Sequence, residues 1–266
     1  MKTLIVVPAR YASTRFPGKP LFEIAGVSML ARVAEVARRA GEASGARVVI
    51  ATDDMRIAGH AAEIRVDCVM TDPDLPSGTD RARAAAAKIA PDADFIVNLQ
   101  GDAPFTPSAH ISALIANAAK ADVVTPVIRL TWNALDRLRE NKKTTPFSGT
   151  SCIRGADGRA IWFSKTIIPA IRTEARLRAA GPLSPVLQHV GLYGYSRTAL
   201  DRIADLPASA YEELEGLEQL RFIENGLSVQ AVEVEAPAFP MSGIDTPEDA
   251  ARAEAMLAQH GDPHRQ

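Results

Sequence analysis

The chain has few of the features that would assign it quickly. Two cysteines stand in 266 residues, Cys68 and Cys152. They sit in apolar, strand-like surroundings without metal-ligand spacing, so we expect buried thiols and neither a disulfide framework nor a thiolate metal site. No charge dominates, since the formal net charge is −2. A general nucleic-acid or membrane-surface role therefore has no electrostatic support. No apolar run is long enough to span a bilayer, and the first strand begins at once, with no basic-apolar-small leader pattern. These absences lead us to expect a cytoplasmic protein. There is no G-x-G-x-x-G, no Walker A lysine pattern, no G-x-S-x-G, no internal repeat and no Gly/Ser linker. The tail from Gln259 to Gln266 reads as frayed.

What is present is organised around residues 3–20. Thr3 to Val7 form a β-branched apolar run that predicts a buried strand. A loop follows with Arg10, Arg15 and Lys19 among small residues, stiffened by Pro8, Pro17 and Pro20. Three cations on a stiff loop at the carboxyl end of a first strand suit a polyphosphate. A solvated basic loop is the plain alternative; the density of Gly, Ser and Pro weighs against it.

The chain then alternates. Helical spacing covers Met29 to Ala40, and strands are predicted at 47–51, 66–70 and 94–99. A helix capped by Thr79 and another from Pro107 to Lys120 complete the first part. Alternating strands and helices predict right-handed crossovers and an α/β fold, Rossmann-like, with a mostly parallel central sheet. Ligands in such folds lie beyond the carboxyl ends of the strands. Arg10, Thr52, Asp53, Gln100 and Asp102 are all placed there.

From residue 122 strand and hairpin signals take over, as at Asp157-Gly158. We read one continuous domain: a nucleotide-binding lobe over 1–121, a β-rich second lobe over 122–240, and a returning segment over 241–260. Stretches 141–149 and 174–185 read as exposed loops. A single helix is expected from Tyr211 to Asn225, with Glu218 and Arg221 inside its apolar face; such a pair needs either each other or a ligand. Thr246, Pro247 and Asp249 have the pattern of a helix start. That leaves Asp245 over, either to face the site or to take a second capping role at the helix start. Asp102 and Asp245 are hard oxygen donors suited to Mg²⁺. Ser77-Gly78-Thr79 at a helix start offers N–H groups and hydroxyls to an anion or a base. His189 has the one mid-chain, strand-like histidine context; no hydrolase triad is supported.

Eight segments carry a resemblance, in order along nearly the whole chain. They are Pro-Ala-Arg-Tyr-Ala-Ser-Thr-Arg-Phe-Pro-Gly-Lys-Pro (8–20), Ala-Thr-Asp-Asp (51–54), Ser-Gly-Thr-Asp-Arg (77–81), Gln-Gly-Asp (100–102), Trp-Phe-Ser-Lys (162–165), His-Val-Gly-Leu-Tyr-Gly-Tyr (189–195), Leu-Glu-Gln-Leu-Arg (217–221) and Gly-Ile-Asp-Thr-Pro-Glu-Asp (243–249). The chain resembles the 3-deoxy-manno-octulosonate cytidylyltransferases, or CMP-Kdo synthetases. The resemblance implies CMP transfer from CTP to a 2-keto-3-deoxy sugar acid, with Kdo first, and release of pyrophosphate. It implies Arg10, Arg15 and Lys19 on the triphosphate, and Ala9, Thr52, Asp53, Ser77, Gly78 and Gln100 around the cytidine. Asp102 and Asp245 would hold Mg²⁺, and Lys165, His189, Tyr193, Glu218 and Gln219 the sugar acid. Arg15, Lys19, Asp102 and Asp245 would carry the catalysis, and a homodimer is implied.

The sugar side departs from the usual pattern. Ala103 stands for Glu, Ser151 for Lys, Lys165 for Arg and Gln188 for Arg. Arg and Lys are not equivalent where a carboxylate is gripped bidentately. The departures point to another ulosonic acid, such as an amino-substituted octulosonate, or to weakened turnover. A non-catalytic nucleotide-sugar-binding relative is the alternative from another class. A uridylyl- or guanylyltransferase is a third, and those usually carry a more Gly-rich first loop.

Overall fold

A computed structural model describes residues 1–12, 16–238 and 243–265. The first half comprises β1 (Thr3–Ala9), a small hairpin of β2 (Glu23–Ile24) and β3 (Val27–Ser28), α1 (Met29–Ser44), β4 (Arg47–Thr52), α2 (Met55–Glu63), β5 (Cys68–Met70), α3 (Gly78–Ile89), β6 (Phe95–Asn98) and α4 (Ser108–Ala116). The second half comprises β7 (Val123–Thr131), α5 (Trp132–Thr144), β8 (Ser151–Arg154), β9 (Ala160–Ser164), α6 (Glu174–Ala180), β10 (Leu183–His189), β11 (Tyr193–Ser196), α7 (Arg197–Ala204), α8 (Ala210–Glu215), α9 (Glu218–Glu224), β12 (Val229–Val234) and α10 (Pro247–His260).

One ten-stranded sheet runs through both halves, in the order β5-β4-β1-β6-β11-β7-β10-β8-β9, with β12 beside β7. β5, β4, β1 and β6 pair in parallel, as alternating strands and helices require. β11 is inserted antiparallel between β6 and β7. β7 meets β12 in parallel along Val123–Ile128, and meets β11 and then β10 on its other edge. Period-2 alternation in β1 loads both faces of the sheet. Leu4 and Val6 join the core under α3 and α7, and Ile5 and Val7 the core under α1, α2 and α4. All four are fully buried.

Several local expectations are corrected. Ser77, not Thr79, caps α3: its Oγ accepts from Asp80 N at 3.0 Å. That frees the Thr79 hydroxyl. The single helix over 211–225 is two helices, because Gly216 adopts φ 62 and closes α8 with its N–H on Glu212 O. Glu218 is thus the first residue of α9, where a carboxylate also meets the favourable end of the helix dipole. Cys68 is exposed, near the edge of the sheet, whereas Cys152 is buried as expected. Segment 174–185 contains α6 and the start of β10, and α5 extends to Thr144. The tail is tied down rather than frayed: Asp262 accepts both Arg32 Nη1 (2.8 Å) and Nη2 (2.9 Å), with the Arg32 side chain 1% exposed.

Candidate active site

The carboxyl ends of β1, β4 and β6 lie side by side, so their following turns meet. Gly101 makes this possible, since a Cβ there would collide with the Pro8 carbonyl oxygen. Gly78, at the start of α3, closes the same corner. The position of its missing Cβ lies 3.5 Å from Gln100 Oε1 and 3.5 Å from Pro8 Cγ. Arg10 donates to Leu75 O on the far wall. Ala9, Arg10, Ser77, Gly78 and Gln100 are therefore neighbours, as expected, while Arg15 lies outside the described residues.

Thr52 and Asp53 reach this edge by another route. Thr52 is fully buried, and its hydroxyl accepts Asp54 N at 3.2 Å. Asp53 is held by Arg81, whose Nη2 lies 3.2 Å from Oδ2. Arg81 itself is fully buried and also donates to Thr71 Oγ1. Burial lowers its pKa, and Asp53 is the opposing charge. From sequence, Arg81 stands only within segment 77–81, without a role, although an arginine on the Ala-rich buried face of α3 was the available signal.

At the metal-suited pair the structure shows one shared cation. Lys19 Nζ donates to Asp102 Oδ2 at 2.9 Å and to Asp245 Oδ1 at 3.2 Å. Lys19 opens a short 3-10 turn after Gly18, which takes φ 71. Asp245 is positioned by the start of α10, where Asp249 Oδ2 accepts the N–H groups of Asp245 and Thr246, each at 3.0 Å. Ile244 N donates to Asp102 O at 2.9 Å, tying the two aspartate segments together. Two carboxylates already converging on an ammonium form a hard, anionic donor set. That set fits a divalent cation drawing its remaining ligands from water and phosphate. Among the described residues no third His, Cys, Asp or Glu joins them.

The sugar-side residues gather on β10, β11 and α9. His189 packs between Phe163 (ring centroids 5.1 Å) and Tyr193 (5.4 Å). Tyr193 OH donates to Gln219 Oε1 at 2.9 Å. Glu218 accepts Thr79 Oγ1 at 3.1 Å and Arg221 Nη2 at 3.0 Å, so the helical pair forms, and Thr79 links it to the nucleotide side. Burial raises the Glu218 pKa against those two partners.

Burial and the Lys165 charge push the His189 imidazolium down to about 3, so the ring is neutral near pH 7. Its Nε2 lies 2.8 Å from Thr125 Oγ1, and that hydroxyl is 2.8 Å from Leu192 O. With the Thr125 proton on Leu192 O, Nε2–H is the donor to Thr125 and Nδ1 is left as an acceptor.

Two of the departures face each other directly. Gln188 pairs with Ser151, and Ser151 with Ser164, across β10, β8 and β9. Ser151 is 1% exposed and its Oγ has no hydrogen-bond partner among the described residues; the same holds for Gln219 Nε2 at 2% exposure. Buried polar atoms left in this way are costly unless something else satisfies them. Lys165 comes next after Ser164, half-buried and beside His189, and Ala103 is buried behind Gln100.

An α/β sheet whose first four strands run parallel, with phosphate-suited groups and paired aspartates at their carboxyl edge, defines a nucleotide-binding transferase of the nucleotidyltransferase type. A family profile described as "Cytidylyltransferase" matches residues 4–232. The chain belongs to the cytidylyltransferase family, within the group of 3-deoxy-manno-octulosonate cytidylyltransferases, the CMP-Kdo synthetases.

It is 40% identical to the 3-deoxy-manno-octulosonate cytidylyltransferase of Maricaulis maris (strain MCS10), over 98% of this chain and 99% of that protein. It is 39% identical to 3-deoxy-manno-octulosonate cytidylyltransferase 2 of Paraburkholderia phytofirmans, over 95% of this chain and 93% of that one. Among solved structures, a CMP:2-keto-3-deoxy-manno-octonic acid synthetase complexed with CTP superposes with a TM-score of 0.82 at 32% identity, covering 97% of this chain and 99% of the other. The 4-diphosphocytidyl-2C-methyl-D-erythritol synthase of Anaerococcus prevotii, at TM-score 0.59 and 13% identity, covers 97% and 99% respectively and shares the fold alone.

Proposed function

We propose that the chain transfers CMP from CTP to the anomeric hydroxyl of Kdo and releases pyrophosphate. Lys19 shared between Asp102 and Asp245 carries this reading: it puts a phosphate-suited cation and a divalent-cation donor pair at one point on the nucleotide-binding edge. The bond between the anomeric oxygen and the α-phosphorus forms, and the bond from that phosphorus to the bridging oxygen breaks. The hydroxyl proton passes to solvent.

Arg10, Arg15 and Lys19 hold the triphosphate and balance the charge that collects on the leaving pyrophosphate. Gly78 and Gln100 bound the cytidine corner, with Ala9, Thr52, Asp53 and Ser77 forming its walls and floor. Asp102 and Asp245 would hold Mg²⁺, which would polarise the α-phosphate and lower the pKa of the attacking hydroxyl. Lys165 faces the acceptor carboxylate, and the neutral His189 accepts a sugar hydroxyl at Nδ1. Tyr193, Glu218 and Gln219 complete the acceptor wall. The chain works as a single domain, in the cytoplasm and as a homodimer.

A second reading, CMP transfer to an amino-substituted octulosonate, is favoured by the Gln188–Ser151 pair. Two cations of the usual pattern are missing on that row, which leaves room and charge for an ammonium on the acceptor. Pyrophosphate release from CTP and Mg²⁺ with a panel of 2-keto-3-deoxy sugar acids tests both. Turnover fastest with Kdo supports the first reading, and turnover fastest with an amino-substituted acid supports the second. Silence across the panel would favour a nucleotide-sugar-binding protein without catalysis.

A further inference from the structure

Lys165 lies one residue beyond the end of β9, so its peptide N–H and C=O fall outside the sheet ladder. Such groups need partners when half-buried. Both find ionised ones, from two different helices. Glu215, the last residue of α8, accepts Lys165 N–H on Oε2 at 2.7 Å and Ser164 Oγ on Oε1 at 2.8 Å. Ser164 Oγ in turn accepts Thr166 N–H at 2.9 Å. On the other side Lys142, from the last turn of α5, donates its ammonium to Lys165 O at 2.6 Å. The same ammonium reaches Pro146 O at 3.1 Å, Gly149 O at 3.3 Å and Ser148 O.

These are charge-assisted bonds, and such bonds are about twice as strong as neutral ones. Among the described residues Lys142 bonds no carboxylate and is surrounded by carbonyl dipoles. Burial and the nearby Lys165 charge lower its pKa. The Lys165 ammonium behaves differently from its backbone. It has no hydrogen-bond or ion-pair partner among the described residues, although the Glu215 carboxylate, whose oxygens bond Ser164 and the Lys165 peptide, acts on it as an opposing charge. It is half-buried, its pKa is lowered by that burial, and its charge reaches His189. The backbone is held at both polar atoms while the charged tip is left to meet an anion.

From this geometry we infer that Glu215 and Lys142 are positioning residues. They hold the Lys165 peptide from opposite sides and thereby aim its ammonium at the carboxylate of the acceptor. Neither touches the acceptor. The inference rests on the acceptor reading of Lys165 given above. It also accounts for a lysine at a position where the related pattern has arginine. A guanidinium selects its own approach to a carboxylate through a planar fork, whereas an ammonium is a point charge whose direction must come from elsewhere.

The test is steady-state pyrophosphate release with the Kdo concentration varied at saturating CTP, and the reverse. Glu215→Ala and Lys142→Met are each expected to raise the acceptor KM about tenfold, ~1.4 kcal/mol, with the KM for CTP within twofold of wild type. Glu215→Gln, which keeps one oxygen for the Lys165 N–H, is expected to recover most of the loss. In a Lys165→Met background, Glu215→Ala should add less than twofold, because its effect runs through Lys165. An unchanged acceptor KM in Lys142→Met and Glu215→Ala, or an equal rise in the KM of both substrates, overturns the positioning role. So does a full tenfold loss in the Lys165→Met background. If Glu215→Ala does not fold, Lys142→Met decides. If the wild-type protein gives no turnover with any sugar acid, the acceptor reading has failed and this inference falls with it.

Discussion

Lys19 Nζ donates to Asp102 Oδ2 at 2.9 Å, with the lysine side chain 14% exposed and the aspartate 35%. The same ammonium reaches Asp245. A lysine meant for phosphate and a carboxylate meant for a divalent cation thus neutralise each other before either ligand arrives. An ammonium and a divalent cation repel each other at one carboxylate pair, so metal binding weakens the Lys19 contacts, and the triphosphate gives the ammonium a new partner. We expect Lys19→Met to bind Mn²⁺ about tenfold more tightly than wild type without CTP, and to lose the tightening that CTP brings to the wild-type protein. Electron paramagnetic resonance of free Mn²⁺ measures both. Equal Mn²⁺ affinity in the two proteins without CTP would remove the exchange.

Asp102→Asn and Asp245→Asn keep the size of each side chain and remove one negative charge. Each is expected to lower turnover by at least about a hundredfold, the scale of losing one electrostatic stabiliser at a reacting group. CTP should still bind each variant in equilibrium dialysis without metal. Turnover near wild type in either variant would sink the metal assignment.

His189 gives a signed pH dependence of stability. Its folded pKa is about 3, below its ordinary value of 6.5. The unfolded chain therefore binds more protons between those values, and stability falls as pH drops from about 6.5 toward 3. The slope from this group is at most about 1.4 kcal/mol per pH unit. In His189→Gln, urea midpoints taken at pH 7 and pH 5 should differ less than in wild type. An undiminished difference would mean that the imidazole is not held neutral.

Arg32 and Asp262 tie the chain's end to its first long helix. Breaking a buried pair leaves an uncompensated charge, so Asp262→Ala should cost about 3 kcal/mol and lower the midpoint of thermal unfolding. Arg32 also holds the Asp262 carboxyl below the usual range. The contribution is thus complete above the ordinary carboxylate pKa and is lost as pH falls through the lower folded value. Calorimetry that finds Asp262→Ala as stable as wild type would show that the contact contributes nothing.

Much of the nucleotide edge was legible before any coordinates. β1, Lys19 at the end of the phosphate-suited loop, the helix start at Thr246 and the paired aspartates all follow from local spacing, and each stands near its expected place. What misled was also local. The helix period runs on through Gly216 because apolar spacing continues on both sides of it, and only the observed φ of 62 shows the break. Thr79 and Ser77 are equally good caps on paper; which hydroxyl turns inward depends on Glu218, 139 residues away.

The sequence alone determined the order of elements, the fold class and the family, because hydrophobic period, turn residues and motif order are properties of neighbouring positions. Tertiary structure alone decided which charges meet. Lys19 with Asp102 and Asp245, Arg81 with Asp53, and Lys165 between Glu215 and Lys142 join segments 23 to 226 residues apart. Charge pairing has no sequence period, since it depends on which strand ends the sheet sets side by side.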